Sequence, residues 1–290
     1  MNGSCKIKLQ AKLSIVSPLS AMSPSYPTTG KIDLTTVSHP SQLTMYDLPS
    51  EFPEEPGLPD IFHYLQPQLL SATFRLSDYV ADQIFTAGDL NVYYDVNHPL
   101  WHKRPGWFAV AGVPRLYEQR DLRLSYVIWQ EKVPPSVVVE LLSPGTGNED
   151  LGRTQSAPGQ PPTKWQVYEQ ILKVPYYVVF DRYTDHLRVF GLTEERYDVM
   201  TDVILESDQP YPKIWLPTLN IGIGLWHGTY ENTTRPWLRW FDASGEWILT
   251  DAEQARQQAE QAQLQAEQAQ QRSDRLAAQL RELGIDPDLV

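Results

Sequence analysis

Residues 134–144 read PPSVVVELLSP, and the fold is decided there. Two prolines and a Ser-Pro turn bracket a short, unbroken apolar run. Such a run marks a strand buried on both faces of a sheet, in contrast to the alternating pattern of a strand with one face in water. It predicts a central strand over 136–142. Glu140 interrupts the run directly after three valines. A carboxylate in such a place is costly to bury without a partner, so it must reach solvent, a counter-charge or a metal ion. Downstream, 145–162 (GTGNEDLGRTQSAPGQPP) reads as loop. Thr163 then offers an N-cap to a helix KWQVYEQILK, with Val167, Ile171 and Leu172 on one face and Pro175 closing it. Lys164 begins this helix, where a cation sits against the positive end of the helix dipole. YYVVFDRYTDHLRVFGL (176–192) is strand, polar turn and strand. It is followed by RYDVM and by IWLPTLNIGIGLWHG, with the core closing near Trp247.

Upstream, LNVYYDV (90–96) and WFAVAGV (107–113) are β-rich runs. They flank NHPLWHKRPG, which reads as the connection of an antiparallel hairpin. Before them, Phe62, Leu65, Leu69 and Phe74 lie among turn formers, and a helical stretch is expected around 76–84. Residues 1–59 are rich in Ser, Thr and Pro and read as a disordered lead-in, with Met22 and Met45 as candidate later starts. The folded domain is expected over 60–250. Residues 251–290 form a third region. Here Ala255, Ala259, Ala262, Ala266, Ala269, Ser273, Leu276, Leu280 and Leu283 follow a 4, 3, 4, 3 spacing, the seam of a coiled coil. Alanine knobs bury little, so a homo-oligomer through 251–283 would grip chiefly at its leucine end.

Composition narrows the function. The chain has 290 residues with 24 Lys and Arg against 36 Asp and Glu, a formal charge of −12. Bulk charge therefore excludes a protein that coats nucleic acid, but leaves room for a local basic groove. No run suits a membrane span. The single cysteine, Cys5, excludes an intramolecular disulfide framework and a cysteine zinc site, and favours a cytoplasmic setting. The six histidines lack zinc-type spacing, and no nucleophile elbow, phosphate loop or dinucleotide fingerprint occurs. The most basic region holds His102, Lys103 and Arg104, then Arg115, Arg120, Arg123 and Lys132. Lys103 and Arg104 are the candidates for nucleic-acid contact. The interleaved acids Glu118, Asp121 and Glu131 fit a salt-bridged surface nearly as well.

RPGWFAVAGV, VVVELLSPGT, PPTKWQVYE and PYYVVFDRYTDHLRVFGL resemble, in that order, the Uma-two family of putative restriction endonucleases, within the PD-(D/E)xK nuclease superfamily. The resemblance covers roughly 60–247, and the tail is similar to that of many members. It implies an α/β fold with a restriction-endonuclease-like mixed sheet flanked by helices, followed by the long helix. It also implies Mg²⁺-dependent cleavage of DNA, with Mn²⁺ as substitute. The family's glutamate falls on Glu140 and its helix-borne lysine on Lys164. The superfamily's usual lysine position is Leu142. The family's first acid, in a Pro-Asp pair, falls on Gly106 after Pro105, so that carboxylate is missing. Asp95 could replace it if 90–96 and 107–113 pair as a hairpin, although Asp95 before Asn97 and Pro99 also reads as a turn former. A catalytically inactive DNA-binding or assembly module that keeps the fold is the rival reading.

Overall fold

The computed structural model describes residues 43, 44, 46–48, 58, 60–143, 147–204 and 211–284. The apolar run becomes strand β6 (Val137–Leu141), buried along its whole length. It lies inside a six-stranded sheet with β1 (Ile84–Ala87), β4 (Trp107–Ala111), β7 (Tyr176–Asp181), β8 (His186–Thr193) and β9 (Arg196–Ile204), in the order β1-β4-β6-β7-β8-β9. β6 and β7 are parallel and every other neighbouring pair is antiparallel, so the sheet is mixed. Alternation along β6 sends Val137, Val139 and Leu141 into one core and Val138 into the other. Glu140 shares the face of Val138.

The first core is roofed by α1 (Ile61–Thr73) and by an antiparallel sheet of β10 (Lys213–Leu216), β11 (Ile221–Tyr230) and β12 (Thr233–Phe241). α1 replaces the helix expected at 76–84, which is instead loop, a single helical turn and the start of β1. Pro67 inside α1 disguised it. Proline costs a helix interior about 3 kcal/mol. Burial of Phe62, Leu69 and Leu70 at about 1.5–3 kcal/mol each outweighs that. Asp60 caps the helix, accepting hydrogen bonds from the backbone N–H of Phe62 and His63.

The second core holds Tyr168, Tyr177, Phe190 and Tyr197 under a short helix, α4 (Lys164–Gln166), continued by a π-helical turn over Val167–Ile171. The extra residue in that turn rotates the face. Val167, Tyr168 and Leu172 are buried, whereas Ile171, expected inside, is 46% exposed. Beside this layer lies a small sheet of β3 (His102–Lys103), β2 (Val92–Tyr93) and β5 (Tyr126–Val127), followed by α2 (Ile128–Glu131).

The expected hairpin of 90–96 with 107–113 does not form. β4 pairs with β1 and β6, while β2 pairs with β3 and in parallel with β5. Both segments had better neighbours elsewhere, because register follows burial and not proximity in sequence. The folded part also reaches back before Asp60. Leu43 and Leu48 are buried against Tyr93 and Val127, and the Trp129 indole N–H donates to the Leu43 carbonyl at 3.0 Å. Most of the remaining lead-in, with both candidate starts, lies outside the described residues.

The tail is helical as expected: α5 runs over Asp251–Glu282, opened by a capping box between Thr250 and Glu253. Glu253 also pairs with the buried Arg239 of β12, which roots the helix in the domain. Beyond this root no residue of α5 is buried, and its seam faces solvent. No helix among the described residues is long and apolar enough to cross a membrane.

Candidate active site

β6 ends next to Gly106 on one side and β7 on the other, so its fourth residue is enclosed. Glu140 is 2% exposed. The tyrosine O–H of Tyr168 donates to Oε1 at 3.0 Å, and the Gly106 backbone N–H donates to Oε2 at 3.1 Å. The Lys164 ammonium stands 3.1 Å from the same Oε2. The two residues singled out in the sequence therefore meet, though 24 positions separate them.

Local structure explains the meeting. The Thr163 hydroxyl accepts from the Gln166 N–H at 3.3 Å, and the Gln166 side chain accepts from the Thr163 N–H at 3.0 Å. This reciprocal cap fixes the start of α4 and hence the origin of the Lys164 side chain. The π turn then brings Tyr168 under the sheet, where an ordinary helical turn would displace its hydroxyl; such turns recur at functional sites.

A third member was not foreseen. α3 (Gly147–Asp150) lies within the stretch expected to be plain loop, and Asp150 is fully buried. Lys164 donates to its Oδ1 at 2.8 Å, and the Tyr177 hydroxyl donates to its backbone carbonyl at 2.8 Å. The neighbouring Glu149 accepts from Lys103 Nζ at 2.8 Å and from the Lys164 backbone N–H at 3.2 Å. The available signal was the Glu149-Asp150 pair itself, the only acids between β6 and the lysine-bearing helix.

Electrostatics follow from burial. Loss of solvent pushes the Glu140 carboxyl up to about 7, against the pull of the Lys164 charge. For Lys164 burial works downward, but Glu140 and Asp150 together outweigh it and hold the ammonium above its ordinary range. Glu149 is held below its usual value because the Lys103 hydrogen bond overrides partial burial. The site is thus a buried ammonium clamped between two carboxylates, with a half-buried acid at its margin.

Asp95 accepts from the Asn97 N–H at 2.9 Å and pairs with His98 Nδ1 at 2.7 Å, so it forms the turn. With the hairpin absent, the basis for Asp95 as a replacement for the carboxylate missing at Gly106 is gone. Arg104 donates to Asn91 at 3.1 Å and lies 3.7 Å from Asp89. Lys103 reaches the site margin through Glu149. Arg123 is buried on Glu131 and the exposed Arg120 pairs with Asp121, so these basic residues are salt-bridged to the interleaved acids. Trp107 is core, and Trp101 stacks on His98. Among the described residues no three Asp, Glu, His or Cys side chains converge as a metal cage.

A mixed sheet flanked by helices, whose central strand β6 presents a carboxylate to a lysine on α4, defines an α/β protein. The model of the Uma2 family, described as "Putative restriction endonuclease", matches residues 40–218, and the chain belongs to that family. Among solved structures it is similar to that of a putative nuclease from Anabaena variabilis, with 12% identity and a TM-score of 0.39. That likeness covers 61% of this chain and 90% of the other. None of the curated proteins compared with the chain matches it.

Proposed function

We propose that the protein is a divalent-metal-dependent endonuclease that hydrolyses phosphodiester bonds of DNA, with Glu140 and Lys164 as its working pair. The observation that carries this reading is the buried contact of these two side chains, delivered by separate elements to one face of the central sheet. Carboxylate oxygens suit a hard ion of the Mg²⁺ or Mn²⁺ kind, which needs only one or two carboxylates beside water and phosphate oxygens. Asp150 Oδ2, buried and without a hydrogen-bond partner among the described residues, supports a place for such an ion. Bound there, the ion would polarise the scissile phosphate and acidify the attacking water. Glu140 would hold it, and Tyr168 and the Gly106 amide keep the Glu140 carboxylate oriented. Lys164 would place its ammonium beside the developing negative charge. Lys103, close to this site, would exchange Glu149 for a backbone phosphate of the duplex, with Arg104 beside it.

Gly106 tempers the activity, since the family's first acid is absent. The rival reading, an inactive DNA-binding or assembly module, draws on this and on the near-complete enclosure of Glu140. Nicking of supercoiled plasmid in Mg²⁺ or Mn²⁺ separates the two. Cleavage by the wild type, abolished in Lys164→Ala, is the expected result. Cleavage that appears only in Gly106→Asp would establish the rival. An added Cβ there meets the Val139 carbonyl at 3.2 Å and the Leu141 nitrogen at 3.3 Å, so those neighbours must give by a few tenths of an ångström.

A further inference from the structure

Gly106 supplies no carboxylate beside Glu140, and Asp150 touches the same Lys164 ammonium. Asp150 has two oxygens in unlike circumstances. Oδ1 holds the Lys164 ammonium at 2.8 Å. Oδ2 is shielded from solvent and receives no hydrogen bond among the described residues. The tyrosine hydroxyl that touches this residue, that of Tyr177, goes to its backbone carbonyl. A buried carboxylate oxygen left without a donor is unfavourable, and an oxygen kept in that state invites a ligand.

The charge balance points the same way. With Glu140 ionised, two carboxylates face one ammonium, leaving a net negative charge in a site with little water. Both carboxylates touch the same nitrogen, by contacts of 2.8 Å and 3.1 Å, so they border one small space. At position 106 only a backbone amide is available, and it is turned toward Glu140. The usual anchor is absent at Gly106, before β4, while an acid from α3 touches the same ammonium.

We propose that Asp150 is the second carboxylate of the divalent-ion site, binding the ion through Oδ2 while Oδ1 keeps Lys164 in place. This rests on the nuclease reading, and its test reads the ion directly. Metal-free protein is titrated with Mn²⁺ alone in a calorimeter at pH 8. Wild type should bind one ion. Glu140→Gln and Asp150→Asn should each weaken binding by more than about 100-fold, beyond the roughly 10–100-fold that loss of an outer partner costs. Asp150→Glu, which keeps the charge, should remain within a few-fold of wild type.

A folded Asp150→Asn protein that binds Mn²⁺ as wild type does, while Glu140→Gln does not, would overturn the assignment of Asp150 and leave the nuclease reading intact. Wild type that binds no Mn²⁺ would overturn both. Should Asp150→Asn lose its native circular dichroism, Lys164→Met carries the test. With the competing ammonium gone, Mn²⁺ should bind more tightly than to wild type, and unchanged or weaker binding refutes the proposal.

Discussion

Replacing Lys164 by methionine tests whether the ammonium is the keystone of this site or an ordinary helix-start charge. The substitution keeps most of the side-chain stem and removes only the charge. Each lost attraction, at roughly 3 Å and an effective dielectric near 20, is on the order of 5 kcal/mol. The Lys164 side chain is 13% exposed and its partners are nearly solvent-free, so screening relieves little of this. The desolvation of the ammonium is recovered at the same time. The net cost expected for breaking a buried pair on one side is therefore about 3–5 kcal/mol. That is a large part of the roughly 5–15 kcal/mol that holds a domain together. Urea unfolding at pH 8 measures it. Combining Lys164→Met with Glu140→Gln should cost less than the two single changes added together, by at least about 2 kcal/mol. A single-variant cost under about 1 kcal/mol would place Lys164 among surface charges. Additivity within about 0.5 kcal/mol would deny the pairing itself.

The raised Glu140 carboxyl makes a second, pH-resolved expectation. Its folded value lies above its unfolded one, so its contribution is complete below about pH 4.5 and is lost as pH rises through about 7. Relative to Glu140→Gln, wild type should lose up to about 3 kcal/mol between pH 4.5 and 8. Urea midpoints that keep a constant offset across this range would show that burial does not govern the group. The exposed seam of α5 is expected to take a second copy of the chain. Sedimentation should find an oligomer that falls to monomer mass when Leu276, Leu280 and Leu283 become Ser, and a monomer in both proteins would exclude it.

Strand β6, the Thr163 cap, the 176–192 strand pair and the tail helix were set by the amino-acid order alone. Each depends on short-range rules: an apolar run between prolines, a hydroxyl before a helix, a turn between β-branched segments, and a gapless heptad. Glu140 and Lys164 could also be named without coordinates, because a charge amid valines needs a partner. The rest depended on contacts between distant segments. Pro67 hid α1 until the buried faces of Phe62, Leu69 and Leu70 outweighed it. The 90–96 and 107–113 runs exchanged each other for β5 and β6, and this left Asp95 in a turn. Asp150 acquired significance only when α3 brought it against a lysine fourteen residues away. Burial raises the energy of any charge not matched in three dimensions, and which charges are matched is a property of packing that no local pattern encodes.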